Sequence, residues 1–267
     1  MIYKSHAKVN LALDILGYDK NGYHFVQTIL QKIPLFDEIN IEEFSENLII
    51  FNGKEGPFIN AKSNTISEAL ELLNPSKKYK ITVKKNIPVG AGLGGGSSNA
   101  ATILNAINET ENLGFSKNEL REMGVKIGID VPFFIEPGTA VGSHYGEQIE
   151  VLPNFNFENF YTILIIPQER KTTKSMYEKI DIEKCGKEKM QTEKMIEILK
   201  SGSNQPILDL VHNDFETIDS IKIPQIKNAR TALCGSGTAV LGISNSPFDF
   251  EELSQALPHQ RILDLRQ

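Results

Sequence analysis

Five of the seven residues from Gly90 to Gly96 are glycine, and Ser97 and Ser98 follow at once. A chain lacking Cβ at alternate positions bends sharply and lets its N–H groups approach an anion, and a helix starting just downstream adds its positive end to the field. The flanks predict that geometry. Tyr79, Ile81 and Val83 alternate with Lys80, Thr82 and Lys84, the period of a half-buried strand, whereas Ala100, Ala101, Ile103, Leu104 and Ile107 share one face at helical spacing. Strand, glycine loop and helix in succession suit a polyphosphate. A Walker loop is excluded because Gly96, and not a lysine, precedes Ser97. A dinucleotide fingerprint is met formally by Gly90, Gly92 and Gly95, but the strand before it is amphipathic, unlike the apolar central strand of a parallel sheet. A flexible linker would not sit between a clean strand and a clean helix.

The bulk numbers narrow the ligand. A chain of 267 residues, 40% hydrophobic and 23% charged, can bury a sizeable core in one large domain or two ordinary ones. Its formal charge of −6 argues against bulk attraction to nucleic acid or an anionic membrane, so an anionic ligand has to be held locally. Cys185 and Cys234 stand far apart and outside any C-x-x-C pattern, which suggests neither a disulfide framework nor a zinc site and fits a reducing cytoplasm. The N-terminus lacks an apolar core of signal-peptide length, and no stretch is long enough to span a bilayer. A cytoplasmic protein is expected.

Strands are predicted at 9–16, 25–33, 38–44 and 79–84, with turns at Gly17, Asn21-Gly22 and Asn52-Gly53. A helix over 63–73 is stopped by Asn74-Pro75, and another opens at Ser116 with Glu119 completing a capping box and ends near Gly128. The proline and asparagines of 153–160 mark a domain boundary. Beyond it, helices are expected at 189–200, 206–218 and 248–257, and strands at 161–166, 239–243 and 261–265. The Lys- and Glu-rich piece 180–191 lacks firm apolar spacing and reads as a mobile, solvated excursion.

Four segments carry possible chemistry. Lys8 and Asn10 point to one face of the first strand, which is also what a solvated strand edge looks like. Asn21-Gly22-Tyr23-His24 puts an aromatic ring and an imidazole on a turn, or is a hairpin turn with a packed tyrosine. Asp130, among apolar neighbours before Pro132, is either a structural carboxylate that caps nearby backbone or a general base held near a cation. The second glycine loop, Cys234-Gly-Ser-Gly-Thr-Ala239, precedes an apolar strand and would otherwise be a tight turn.

Taken in order, these segments resemble the GHMP kinase superfamily, named for galactokinase, homoserine kinase, mevalonate kinase and phosphomevalonate kinase. Its phosphate loop is similar to Pro88-Val-Gly-Ala-Gly-Leu-Gly-Gly-Gly-Ser-Ser98, and its third motif to Gly235-Ser-Gly-Thr-Ala-Val240. Ala7-Lys-Val-Asn-Leu11, Gly22-Tyr-His24, Gly92-Leu-Gly-Gly-Gly-Ser-Ser-Asn-Ala-Ala101 and Gly128-Ile-Asp-Val-Pro132 are most similar to one branch. That branch phosphorylates a cytidine-diphosphate-linked methylerythritol on the non-mevalonate route to isoprenoids. The likeness spans nearly the whole chain.

The resemblance implies an α+β fold of two domains, 1–153 with the glycine loop and 160–267 as a second α+β domain, with the active site in the cleft between them. It implies an ATP-dependent kinase with Mg2+, acting on the 2-hydroxyl of a small molecule that bears a cytidine diphosphate group. Asp130 matches the base and Lys8 the cation that holds the hydroxyl and the carboxylate in register. Asn10 matches a contact to the erythritol portion, and Tyr23 and His24 match the cytidine pocket, with Tyr177 as the opposite stacking surface. Asn64 and Lys85 match positions beside adenine. Pro88, Val89, Gly90, Ala91, Gly92, Leu93, Gly94, Gly95, Gly96, Ser97 and Ser98 match the triphosphate site. No protein carboxylate ligand for Mg2+ is implied, although Ser98 or a nearby hydroxyl could contribute. A monomer or weak homodimer is expected, with no nucleic-acid or membrane partner. Another kinase of the superfamily, a nucleotide-binding regulator without turnover and an NAD-dependent oxidoreductase stand as alternatives. Gly22-Tyr-His24 favours the cytidylyl substrate over the first, and the presence of both Lys8 and Asp130 counts against the second.

Overall fold

A computed structural model describes residues 1–60, 63–136, 138–153, 157–168, 171–202 and 207–266. In chain order the elements are β1 (Ile2–Tyr18), β2 (His24–Phe44), β3 (Leu48–Asn52), α1 (Thr65–Leu73), β4 (Lys78–Lys84), α2 (Gly95–Thr110), α3 (Lys117–Ile127), α4 (Val131–Ile135), β5 (Thr139–Ser143), β6 (Gln148–Leu152), β7 (Tyr161–Ile166), α5 (Thr173–Tyr177), α6 (Lys189–Ser201), β8 (His212–Asn213), β9 (Ala229–Leu233), β10 (Val240–Ser244), α7 (Phe250–Ala256) and β11 (Arg261–Asp264). The fold is α+β, as expected. Its strands lie in two sheets, and contacts divide the chain into two compact units.

One unit comprises Met1–Ala7, Ile33–Val89 and Gly94–Pro137. In it β4 pairs antiparallel with β2, Ile81 opposite Ile41, and parallel with β3, Ile81 opposite Ile49. The alternation read in the sequence is real: Tyr79, Ile81 and Val83 are buried and their neighbours are not. α1 opens on a capping box in which the Asn64 side chain accepts from the Ile66 and Ser67 N–H groups, and it buries Ile66, Ala69, Leu70 and Leu73. α2 buries Ala100, Ala101, Ile103, Leu104 and Ile107, the face its spacing predicts. α3 starts from Ser116 with the Glu119 box in place. Gly124 lets α4 approach, since a Cβ there would stand 2.8 Å from Val131 Cγ1.

The other unit comprises Lys8–Lys32, Gly90–Leu93 and Gly138–Gln267. Here β1 pairs parallel with β8, Ala12 opposite His212, and β5 joins β2 and β6 antiparallel. A second sheet runs β11-β7-β10-β9, all antiparallel. Leu13, Ile15, Val26, Ile163, Ile165, Met176, Phe215 and Leu233 form the core of this unit.

Several expectations need correction. The strands expected at 25–33 and 38–44 are one strand, because Pro34 falls between the stretch paired to β5 and the stretch paired to β4, where neither needs its missing N–H. The helix expected over 206–218 does not form in its described part. Two 3-10 turns, Leu208–Leu210 and Asp214–Thr217, flank β8 instead. Asn213 accepts from the Phe215 N–H while Asp214 takes the N–H groups of Ile15 and Gly186, so short polar side chains outbid the helical ladder. Within 180–191 a 3-10 turn covers Ile182–Lys184, Cys185 is buried, and Ile180 and Ile182 pack on the core, so the stretch is not wholly a solvated excursion. The short strands β3, β5, β6, β8 and β9 and the short helices α4 and α5 carried no clear periodicity. Of the expected boundary at 153–160, residues 154–156 lie outside those described.

Candidate active site

The glycine loop alternates in hand. Gly90, Gly92 and Gly94 have φ of 73°, 83° and 70°, the left-handed region that a side chain disfavours. Alternation of this kind turns successive N–H groups toward one side, the geometry of an anion-binding concavity. Gly94 is the N-cap of α2 and offers no side chain to its first turn. Backbone donors there suit an anion, and the helix dipole favours one.

In the unit that holds Gly90–Leu93, the second glycine loop presses against this stretch, backbone on backbone. A Cβ on Gly92 would stand 1.8 Å from the Cys234 carbonyl oxygen, and one on Gly237 would stand 2.1 Å from the Ala91 carbonyl carbon. The Ala239 N–H donates to the Ala91 carbonyl at 3.2 Å. Asn213 braces the second loop from below, its Nδ2 donating to the Leu233 and Gly235 carbonyls at 2.9 Å each. A tight turn is present, as its sequence allowed, and its glycines also permit this close seam.

Lys8 lies beside the seam and is 3% exposed, so β1 is not a solvated edge here. Its N–H donates to the Leu93 carbonyl at 3.0 Å, its Nζ donates to Asn10 Oδ1 at 3.0 Å, and a Cβ on Gly235 would stand 3.0 Å from that ammonium. Asn10 Nδ2 donates in turn to Thr28 Oγ1, which donates to the Ala12 carbonyl. The period of two therefore does put Lys8 and Asn10 on one face, and it is Thr28 on β2, absent from the sequence reading, that orients the amide. Burial pushes the Cys234 thiol up to about 12, so this neighbour stays protonated at neutral pH.

In the other unit, Ser97 Oγ lies 3.6 Å from the point a Cβ on Gly128 would occupy, which sets the Gly128–Asp130 turn against the start of α2. Asp130 is half-buried at the N-cap of α4, yet its side chain makes no capping bond. Beneath the loop runs a buried polar chain: Ser5 Oγ donates to Ser98 Oγ at 2.8 Å, Asn99 Nδ2 donates to Ser5 Oγ and Asp37, and Lys85 Nζ donates to Asp37 and to Asn99 Oδ1. Asp37 also accepts from the Asn86 and Ile87 N–H groups. Burial pushes the Lys85 ammonium down even though Asp37 holds it. The Lys85 side chain is thus committed inward, and the Asn64 amide is committed to the cap of α1 and to the Asn60 carbonyl at 3.0 Å. Nothing local to Lys85 announces Asp37, 48 residues away.

The aromatic cluster belongs to the unit with Lys8. His24 and Tyr177 face each other at 4.7 Å between ring centroids, and Tyr18 meets His24 at 5.9 Å. Tyr23 is 63% exposed and touches Tyr145 at 5.7 Å, a contact the sequence did not suggest. Burial lowers the His24 pKa from its ordinary value, which keeps the imidazole neutral near pH 7 and able both to donate and to accept. Among the described residues no group of three or more His, Cys, Asp or Glu could hold a metal ion, and no helix is long and apolar enough to cross a membrane.

Comparison with known proteins bears on the family and the fold. Residues 64–138 match the family model described as GHMP kinases N terminal domain. The chain is 35% identical to a 4-diphosphocytidyl-2-C-methyl-D-erythritol kinase of Caldicellulosiruptor saccharolyticus, over 93% of this chain and 90% of that one. It is 34% identical to the enzyme so named from Clostridium botulinum, over 91% and 90%. A crystal structure of 4-(cytidine 5'-diphospho)-2C-methyl-D-erythritol kinase superposes with a TM-score of 0.74 at 26% identity, covering 98% of this chain and 97% of the other. The mevalonate kinase of Methanococcus jannaschii, at 17% identity and a TM-score of 0.66 over 99% and 97%, shares the fold.

Proposed function

Because the chain belongs to the 4-diphosphocytidyl-2-C-methyl-D-erythritol kinase family and is a small-molecule kinase, we propose that it transfers the terminal phosphate of ATP to the 2-hydroxyl of 4-diphosphocytidyl-2-C-methyl-D-erythritol. The observation that carries this reading is the run of left-handed glycines at Gly90, Gly92 and Gly94 leading into the N-terminus of α2. Lys8 bonds to the loop at Leu93, and the turn bearing Asp130 lies against Ser97.

Phosphoryl transfer asks a protein for positioning and charge neutralisation more than for covalent help. The left-handed glycines from Gly90 to Gly94 and the first turn of α2 supply N–H donors to the triphosphate. Gly92 and Gly237 leave no room for a side chain, so what faces the phosphates at this seam is backbone. Asp130, on the turn that leads into α4, accepts the proton of the attacking hydroxyl. Lys8 holds that oxygen, with its ammonium oriented by Asn10. Tyr23, His24 and Tyr177 receive the cytosine, the rings by stacking and the neutral imidazole by hydrogen bonding. Asn64 and Lys85 shape the adenine side of the site from within the protein, because their side chains and their backbone N–H groups are all engaged there. A magnesium ion would be held mainly by phosphate oxygens and water, and a hydroxyl such as that of Ser98 would add to them. Magnesium, when bound, neutralises charge developing on the phosphates.

Incubation with ATP, magnesium and the cytidylyl alcohol, followed by phosphorus NMR, is expected to show a new phosphate monoester on the 2-hydroxyl, with mevalonate and homoserine left unmodified. Phosphorylation of either control in preference to the cytidylyl substrate would overturn the substrate assignment. In the same assay Asp130→Asn is expected to lower turnover about 10²-fold or more in a correctly folded protein, the cost of a lost positioned base.

A further inference from the structure

The turn from Asp19 to Tyr23 is held by one carboxylate. Asp19 Oδ1 accepts the Asn21 N–H at 2.8 Å and the Tyr23 N–H at 2.9 Å, and Oδ2 accepts Asn21 Nδ2 at 3.2 Å. A further bond comes from far along the chain: the Tyr145 hydroxyl donates to Asp19 Oδ2 at 2.9 Å, across 126 residues.

Tyr145 is itself fixed. It sits on the turn between β5 and β6, where Glu147 accepts the Tyr145 N–H at 2.9 Å and meets His144 Nδ1 at 2.5 Å. His144 adopts a φ of 64°, a left-handed conformation uncommon for a side chain with Cβ, and its carbonyl takes the Val26 N–H at 2.7 Å. Strained backbone of this sort persists where the surroundings over-determine it, and it clusters at ligand clamps. The Tyr145 ring stacks on Phe25 at an interplanar angle of 9°, and its other contacts include the ring of Tyr23. One side chain thus holds both the turn that carries Tyr23 and the orientation of the Tyr23 ring, which is otherwise 63% exposed.

We propose that Asp19 and Tyr145 are positioning residues for the cytidylyl substrate, latching the Tyr23 turn so that its ring is ordered before the base arrives. An exposed tyrosine that must be ordered on binding costs affinity, and a ring held in place beforehand removes that cost. The latch acts on substrate binding and not on the phosphate site, because every group in it lies on the turns at 19–23 and 143–148 or on Phe25 and Val26. The inference rests on the reading of Tyr23 as part of the base pocket.

Tyr145→Phe keeps the ring contacts and deletes only the bond to Asp19. It is expected to raise KM for the cytidylyl substrate and Ki for cytidine diphosphate together by about five- to tenfold, the loss of a hydrogen bond to a charged group, while kcat and KM for ATP stay within about twofold. Asp19→Ala should exceed that effect. Asp19→Asn, which retains one oxygen for the two turn N–H groups and an amide that can donate to the tyrosine hydroxyl, should recover part of it. An unchanged KM and Ki in Tyr145→Phe, or an equal rise in KM for ATP, overturns the inference. Tyr23→Ala separates the two levels. If it raises KM for the cytidylyl substrate and Tyr145→Phe does not, the latch alone is wrong; if Tyr23→Ala also leaves KM unchanged, the pocket assignment fails and the latch with it.

Discussion

Lys8 keeps an ammonium at 3% exposure with Asn10 Oδ1 as an oriented acceptor, an arrangement that costs desolvation and needs a compensating partner. The same lysine's N–H ties β1 to the glycine loop at Leu93. Its backbone bond and its head group can therefore be tested apart. Lys8→Met keeps the backbone bond and the stem but removes the charge. If the ammonium acts on the reacting hydroxyl, kcat should fall at least tenfold with KM for ATP changed less than threefold, since only a transition-state interaction is lost. A rise in KM for ATP with kcat intact would move Lys8 into the nucleotide site. Lys85 shows the opposite use of a buried lysine, with its ammonium spent on Asp37 and Asn99 under the loop.

At the level of elements, the loop and the helix it feeds depend on space as much as on backbone freedom. Gly92 and Gly114 have nearly the same φ, 83° and 79°, but a Cβ on Gly92 meets the Cys234 carbonyl at 1.8 Å whereas one on Gly114 meets nothing within 4 Å. Alanine at either position incurs the left-handed penalty, about 1 kcal/mol. Only at Gly92 must the two glycine loops also part. Gly92→Ala is expected to raise KM for ATP at least tenfold, and Gly114→Ala to lose a few degrees of melting temperature with KM for ATP unchanged. Equal effects at the two positions would show that the seam is not what holds the phosphate cradle. α2 is anchored at its far end as well, where Glu111 accepts from the Ser76 and Lys77 N–H groups and from the Tyr79 hydroxyl. Burial pushes that carboxyl up, but these donors outweigh it and hold it down at about 2.

At the scale of the whole molecule, stability should carry the signature of a buried imidazolium. His212 Nδ1 faces the Leu210 carbonyl at 2.8 Å, an atom that only accepts, and Nε2 faces Asp14 Oδ1 at 3.1 Å, so both nitrogens act as donors. Thr192 donates to the second Asp14 oxygen, which links β1, β8 and α6. Burial lowers the His212 pKa, yet the bonds to Asp14 and Leu210 prevail and leave it raised. A raised histidine contributes stability that is fully present below its unfolded value of about 6.5 and is lost as pH rises through the folded value. The gap in melting temperature between wild type and His212→Asn should therefore narrow as pH rises from 6 to 9, and a gap independent of pH would refute the charged pair.

The sequence by itself determined what neighbouring residues can encode. The alternation in β4, the apolar face of α2, the capping box at Ser116, the shared face of Lys8 and Asn10, and the left-handed loop glycines each follow from a local dihedral preference or a fixed period. Only the tertiary structure decided that Lys85 turns inward to Asp37, that Gly237 lies against Ala91, that Tyr145 reaches Asp19, and that the stretch after residue 206 gives up a helix for β8. Those partners are separated by tens to more than a hundred residues, and periodicity carries no information over such distances. They are fixed by which surfaces close-pack once the elements have formed, and by the requirement that each buried polar group find a partner there.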